Sequence, residues 1–205
     1  EGDMANIGTD ALLLLVAGGS SDLRAVVSPN KSLPYLIASK ENVAAPADLT
    51  GKSFGIGRPG SLDHSLSIRV LQKQGVDAGR IDFVSLGQPN QRAQALAAGQ
   101  IDATTMSIGT WAAMPDRSGL RVLVSQDDYY AAAPVVSKVN IVTAKVLKER
   151  HDDVKKVITA LIKASRDFAA NPATWTTAMA KARPDIDAET LDMLGKSFAK
   201  SWSVN

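Results

Sequence analysis

Gly55-Ile-Gly-Arg-Pro-Gly-Ser-Leu-Asp-His64 decides how the rest of the chain is read. A β-run over Ser53–Ile56 breaks at a Gly/Pro turn, and Ser61 then opens an amphipathic helix with Leu62, Leu66, Val70 and Leu71 on one face. A strand, tight turn and helix in that order leave backbone N–H groups and the positive end of a helix dipole beyond the strand's carboxyl end. Gly57 and Gly60 allow close approach of a ligand, and Ser61 is a good N-cap. The turn therefore reads either as a binding loop for a polar or anionic group, or as an ordinary strand-to-helix connection.

Working outward, strand-like and helical runs alternate. Met4–Ile7, Leu23–Val27, Leu33–Ala38, Ser53–Ile56, Ile81–Leu86, Ile101–Met106 and Leu120–Val124 have strand character. Helical stretches follow Thr9, Ser61, Gln91 and Trp111, and Gly75 and Gly99 sit where left-handed caps belong. This alternation predicts an α/β fold with mostly parallel, doubly wound sheets. After a further strand at Val135–Thr143 the chain turns helical. Asp152–Ala170 carries an apolar stripe, Asn171-Pro172 restarts the helix, and a last helix runs from Ala188 to Trp202 behind Asp187. Gly2–Thr9 and Gln100–Thr110 share an acidic residue, a strand and an Ile-Gly-Thr turn, the pattern expected of two similar lobes.

Composition narrows the function classes. The 205 residues are 45% hydrophobic with a net charge of +2, which offers no electrostatic basis for binding nucleic acid. The absence of cysteine removes disulfides, thiol catalysis and cysteine metal sites. His64 and His151 lie far apart without metal-ligand spacing, and no catalytic triad order or carboxylate pair stands out. The apolar run Ala11–Ala17 is too short to span a membrane. Neither a cofactor nor a metal is expected.

Three segments occur in an order and spacing that resemble one family. They are Asp3-Met-Ala-Asn-Ile-Gly-Thr-Asp-Ala11, Ala47-Asp-Leu-Thr-Gly-Lys-Ser-Phe-Gly-Ile-Gly-Arg-Pro-Gly-Ser61 and Ala95-Leu-Ala-Ala-Gly-Gln-Ile-Asp-Ala103. The chain resembles the nitrate/sulfonate/taurine and thiamine-precursor group of ABC-transporter solute-binding proteins, which have the type II periplasmic binding fold. The resemblance implies a two-lobed clamshell. Domain 1 would comprise residues 1–36 and the returning segment 135–205, with domain 2 at 37–134 and the crossovers as hinge. It also implies two further βα units upstream, roughly 60 residues at about 30 per unit, so that domain 1 is incomplete here.

The implied role is an extracytoplasmic, monomeric receptor that delivers a sulfonate, carboxylate, nitrate or heterocycle to an ABC permease and its ATPase. In domain 2, Gly60 and Ser61 would donate to an anionic oxygen or merely cap the helix; Arg58 would add a bidentate contact or stay solvated. His64 would donate to the ligand or be structural, while Asp63 would compete with an anion unless it points away or the ligand carries a donor. Gln88 and Asn90 offer amides, with Asn90 also a candidate cap. Ser107, Thr110 and Trp111 follow the next strand, Trp111 stacking on a flat ligand or packing in the core. Gly8, Thr9 and Asp10 would form the opposing turn, and Tyr35 would close over the ligand or lie buried. Alternatives of similar fold are a ligand-sensing domain, a TRAP-type receptor and a thiamine-pyrimidine synthase-like enzyme, although that enzyme uses a cysteine-rich segment absent here.

Overall fold

The structure, a computed structural model, describes residues 2–31 and 33–202. Its elements run β1 (Met4–Gly8), α1 (Thr9–Ala17), β2 (Leu23–Val27), β3 (Tyr35–Lys40), β4 (Ser53–Ile56), α2 (Leu62–Lys73), β5 (Asp82–Ser85) and α3 (Pro89–Ala97). There follow β6 (Ala103–Ser107), α4 (Ile108–Ala112), β7 (Leu120–Val124), α5 (Gln126–Ala132), β8 (Lys138–Thr143), α6 (Ala144–Glu149), α7 (His151–Ala170), α8 (Pro172–Ala182) and α9 (Ala188–Phe198). The predicted elements are present with boundary shifts. An additional helix not anticipated from the sequence is α5, which carries no strong apolar period but is started by the Ser125 hydroxyl accepting the Asp128 N–H. The chain divides into two compact units, Glu1–Leu33 with Val135–Asn205, and Pro34–Pro134.

The second unit holds a five-stranded sheet in the order β5-β4-β6-β3-β7. Strands β4, β5 and β6, joined through α2 and α3, run parallel, as helical crossover connections allow. β3 lies antiparallel to both β6 and β7. The first unit repeats this logic on a smaller scale, with β8 antiparallel between β1 and β2. The expectation of mostly parallel sheets is therefore corrected to mixed ones. Strands linked by a helix share a direction, whereas β3 and β8 are the strands that begin just after the chain has passed from one unit to the other. No crossover helix sets their sense.

β3 is buried along Leu36–Ser39, so its apolar run is continuous rather than alternating. Around it pack Leu49, Phe54, Ile56, Leu71, Leu96, Met106 and Tyr129, all essentially inaccessible. In the first unit the core is thinner: α7 buries only Val154 and Ser165, and its Val157 is exposed. α1 buries none of its residues and leaves Leu13, Leu14, Leu15 and Val16 exposed. α8 and α9 approach closely, with Trp175 edge-on to Phe198 at 5.5 Å. A Cβ on Gly195 would fall 2.6 Å from the Thr176 Oγ1 and 3.3 Å from the Pro172 carbonyl. Gly195→Ala should cost about 1–3 kcal/mol by overpacking, read as a lower urea midpoint with an unchanged slope.

Asp102 ties three strands together. Its carboxylate accepts the Ser53 N–H at 3.0 Å and the Ser53 hydroxyl at 2.9 Å, and pairs with the Lys40 ammonium at 3.0 Å. Partial burial pushes its carboxyl up, but the Ser53 and Lys40 hydrogen bonds outweigh this and hold it below the usual carboxylate range. The resulting stabilisation is complete above the ordinary carboxylate pKa and is lost as pH falls through the lowered value. Asp102→Asn should destabilise the protein by about 1–3 kcal/mol at neutral pH. The gap to the parent should close below about pH 4 in acid titrations followed by circular dichroism.

Candidate functional site

At the carboxyl ends of β4, β5 and β6 the second unit forms a hollow of about 250 Å³. Gly57 contributes from β4, Gly87 and Gln88 from β5, and Thr105, Met106 and Ser107 from β6; Tyr35 and the first turn of α2 complete the wall. At its base is Arg92, only 5% exposed. Pro89 begins α3, the Gln91 side chain accepts the Gln88 N–H at 2.9 Å, and Arg92 follows on the same buried face as Ala95 and Leu96. Its Nη1 donates to the Gly87 carbonyl at 2.7 Å and its Nη2 to the Thr105 carbonyl at 3.3 Å, while Nε has no partner. The Asp63 carboxylate accepts the Gly57 N–H at 2.7 Å and lies 3.6 Å from Nη1. A side chain at position 57 would meet both groups, since a Cβ there would come 3.0 Å from the Asp63 Oδ1 and 3.4 Å from the Arg92 Nη1. Glycine is what lets this pair close under the turn.

The loop after Gly57 differs from the expectation. The Ser61 hydroxyl donates back to the Arg58 carbonyl at 2.7 Å and makes no side-chain cap on α2. The Ser61 N–H also goes to that carbonyl, and the Gly60 N–H is taken by the His64 Nδ1 at 3.0 Å. His64 itself packs edge-on against Phe83 at 4.7 Å, which matches its structural alternative. Pro59 and Gly60, the latter at φ +74°, fold the loop onto itself so that its donors are spent locally. What remains open is the first turn of α2, where the N–H groups of Leu62, Asp63 and His64 have no protein acceptor among the described residues.

Behind this wall the Ser67 hydroxyl meets the Asp63 carbonyl at 2.5 Å and the Thr105 Oγ1 at 2.7 Å, tying α2 to β6. Tyr129 is fully buried against Tyr35, with ring centroids 6.0 Å apart. Burial pushes its phenol well above the ordinary range, and its hydroxyl has no hydrogen bond of normal geometry.

The structure thus brings Tyr35, Gln88 and Ser107 together with Asp63 and Arg92. Asn90 and Thr110 line a different hollow, of about 360 Å³, between α3 and α4. Arg58 is exposed, and Trp111 packs beneath the Arg117 guanidinium at 5.5 Å. In the first unit, the Thr9 hydroxyl donates to the Val136 carbonyl at 2.7 Å and its N–H to the Ser137 carbonyl, while the Asp10 carboxylate folds back over Gly8. Arg92 escaped the reading of the sequence. The available signal was a cation three and four residues before Ala95 and Leu96, on the face of α3 that has to be apolar. Among the described residues no group of three His, Asp or Glu side chains converges as for a metal ion.

Solved structures of similar fold include periplasmic binding proteins and an enzyme. The alkanesulfonate-binding protein SsuA from Xanthomonas axonopodis pv. citri, bound to MOPS, superposes with a TM-score of 0.72 at 23% identity, over 95% of this chain and 65% of its own. The aliphatic sulphonate-binding protein SsuA from Escherichia coli gives 0.76 at 21% identity, over 94% of this chain and 65% of its own. The desulfurization enzyme DSZB is also similar, with a TM-score of 0.71 at 16% identity, over 98% of this chain and 73% of its own. These likenesses establish the type II periplasmic binding fold, and this chain spans about 65% of the length of either SsuA. The family model described as NMT1/THI5 like matches residues 20–174, well over half of the chain, and the protein belongs to that family. No curated protein sequence matches it.

Arg92→Met should cost about 3 kcal/mol in urea unfolding, because it strands the Gly87 and Thr105 carbonyls and leaves Asp63 without its cation. Arg92→Lys should recover little of the loss, since one ammonium cannot reproduce the two-carbonyl fork.

Proposed function

We propose that this protein is the solute-binding component of an ABC importer, working outside the cytoplasm and handing a small polar or anionic organic molecule to a permease. The observation carrying this reading is the hollow at the strand ends of the second unit. There a buried guanidinium, the open amides of α2 and the Gln88 and Ser107 side chains converge. Open α/β sheets bind ligands beyond the carboxyl ends of their strands, and helix N-termini favour anions. The MOPS bound in one similar structure and the sulfonate-binding descriptions of two others support a sulfonate-like or carboxylate-like solute. A contribution of Gly8, Thr9 and Asp10 to binding is part of this proposal. So is a role in binding without chemical change, as most of the similar structures are described as binding or transport components rather than enzymes.

A thermal-shift screen of sulfonates, carboxylates, nitrate and pyrimidines tests it. A true ligand at a hundred times its Kd should stabilise the protein by about 2.7 kcal/mol, and the melting temperature should keep rising with concentration. A flat response to every compound would sink the proposal.

A further inference from the structure

The first unit leaves one helix and one strand edge without cover. α1 is apolar at every position from Ala11 to Ala17, and a helix with no polar face is one that packs on more than one side. Yet it buries none of its residues, and Leu13, Leu14, Leu15 and Val16 are 46–70% exposed. β1, which leads into it, borders the sheet and pairs with β8 but with no other strand among the described residues. The register fixes which of its groups are spent. Gly8 lies opposite Lys138, so Thr9 falls opposite Ser137, and the Thr9 N–H donates to the Ser137 carbonyl. Hydrogen-bonded and non-hydrogen-bonded residues alternate along an antiparallel pair, so Ala5 and Ile7 face β8 while Met4, Asn6 and Gly8 turn their N–H groups to the free edge. No lysine, proline or bulge guards Met4–Gly8, and Asp3 beside it is paired with Arg150.

This edge is complementary to itself. A two-fold axis through Asn6, normal to the sheet, sets Asn6 against Asn6 of a second copy and Met4 against its Gly8, so that outward-facing residues meet only outward-facing ones. The Asn6 Nδ2 donates to the Asn140 Oδ1, and the Asn6 Oδ1 accepts no hydrogen bond from any described residue, which leaves it for the amide across the axis. The same axis carries both α1 helices to one face. We propose that a second copy of this chain covers the surface: two β1 edges pair antiparallel about Asn6, joining the two three-stranded sheets, and α1 packs against its counterpart. β1 and α1 supply five and nine residues, fourteen a side, against roughly 20–30 a side in a standard stable interface. The dimer is therefore of micromolar affinity.

Sedimentation velocity of the 205-residue chain from about 1 to 200 µM should show a reversible monomer–dimer equilibrium with a micromolar Kd. Residue 6 faces its own counterpart, and like charges directly opposite repel whereas unlike charges attract. Asn6→Lys and Asn6→Glu should therefore each be monomeric at about 200 µM, and an equimolar mixture of the two should recover a dimer. Leu14→Glu, on the exposed helix, should weaken the dimer about ten-fold or more. A monomeric parent throughout, a dimer that persists in both charged variants, or association that runs on past two copies overturns the proposal. So does a mixture that stays monomeric while both variants are folded by circular dichroism. Should either charged variant fail to fold, Leu14→Glu decides, and an unchanged Kd overturns the interface.

Discussion

The buried guanidinium of Arg92 is the contact on which the hollow of the second unit depends. A charge removed from water must be compensated locally, and here the compensation is drawn from three strands at once: the Gly87 carbonyl beyond β5, the Thr105 carbonyl in β6, and Asp63, which in turn holds the Gly57 N–H beyond β4. One side chain on α3 thereby sets the relative positions of three strand ends. The hollow they surround inherits that rigidity. The groups that satisfy Arg92, Gly87, Thr105 and Asp63, also line it.

The two sheets follow a single rule. Helix-linked strands run together, and in each sheet one strand entering from the other unit is inserted with the opposite sense, β3 between β6 and β7 and β8 between β1 and β2. In the second unit this places β3 at the centre of the apolar core, with Leu36, Ile37 and Ala38 packed on both faces. Tyr35, at its first position, is thereby brought to the wall of the hollow and backed by Tyr129.

The motifs that made the family recognisable are mostly scaffold. Within Ala47-Asp-Leu-Thr-Gly-Lys52, Asp48 accepts the N–H groups of Ala44 and Ala45, Leu49 is wholly buried and Gly51 sits at φ +73°. Within Leu96-Ala-Ala-Gly-Gln-Ile-Asp-Ala103, Gly99 ends α3 at φ +72° and Asp102 staples β6 to β4 and β3. Turns, caps and strand staples are local, so their residue types can be recognised along a line of letters. Such motifs identify the fold well and say little about the solute.

Read alone, the chain already determined its element order apart from α5, the strand-turn-helix at Ser53–Leu62, the cap at Asp187, the helix restart at Asn171-Pro172, and the family it resembles, because each rests on spacing within a few residues. Only the tertiary structure decided that Gly60, Ser61 and His64 satisfy one another, and that Arg92 and Asp63, 29 positions apart, share one hollow. Which donors a loop leaves open depends on the closure of that loop in three dimensions. A buried ion pair, likewise, exists only once the strands carrying its partners have found their neighbours.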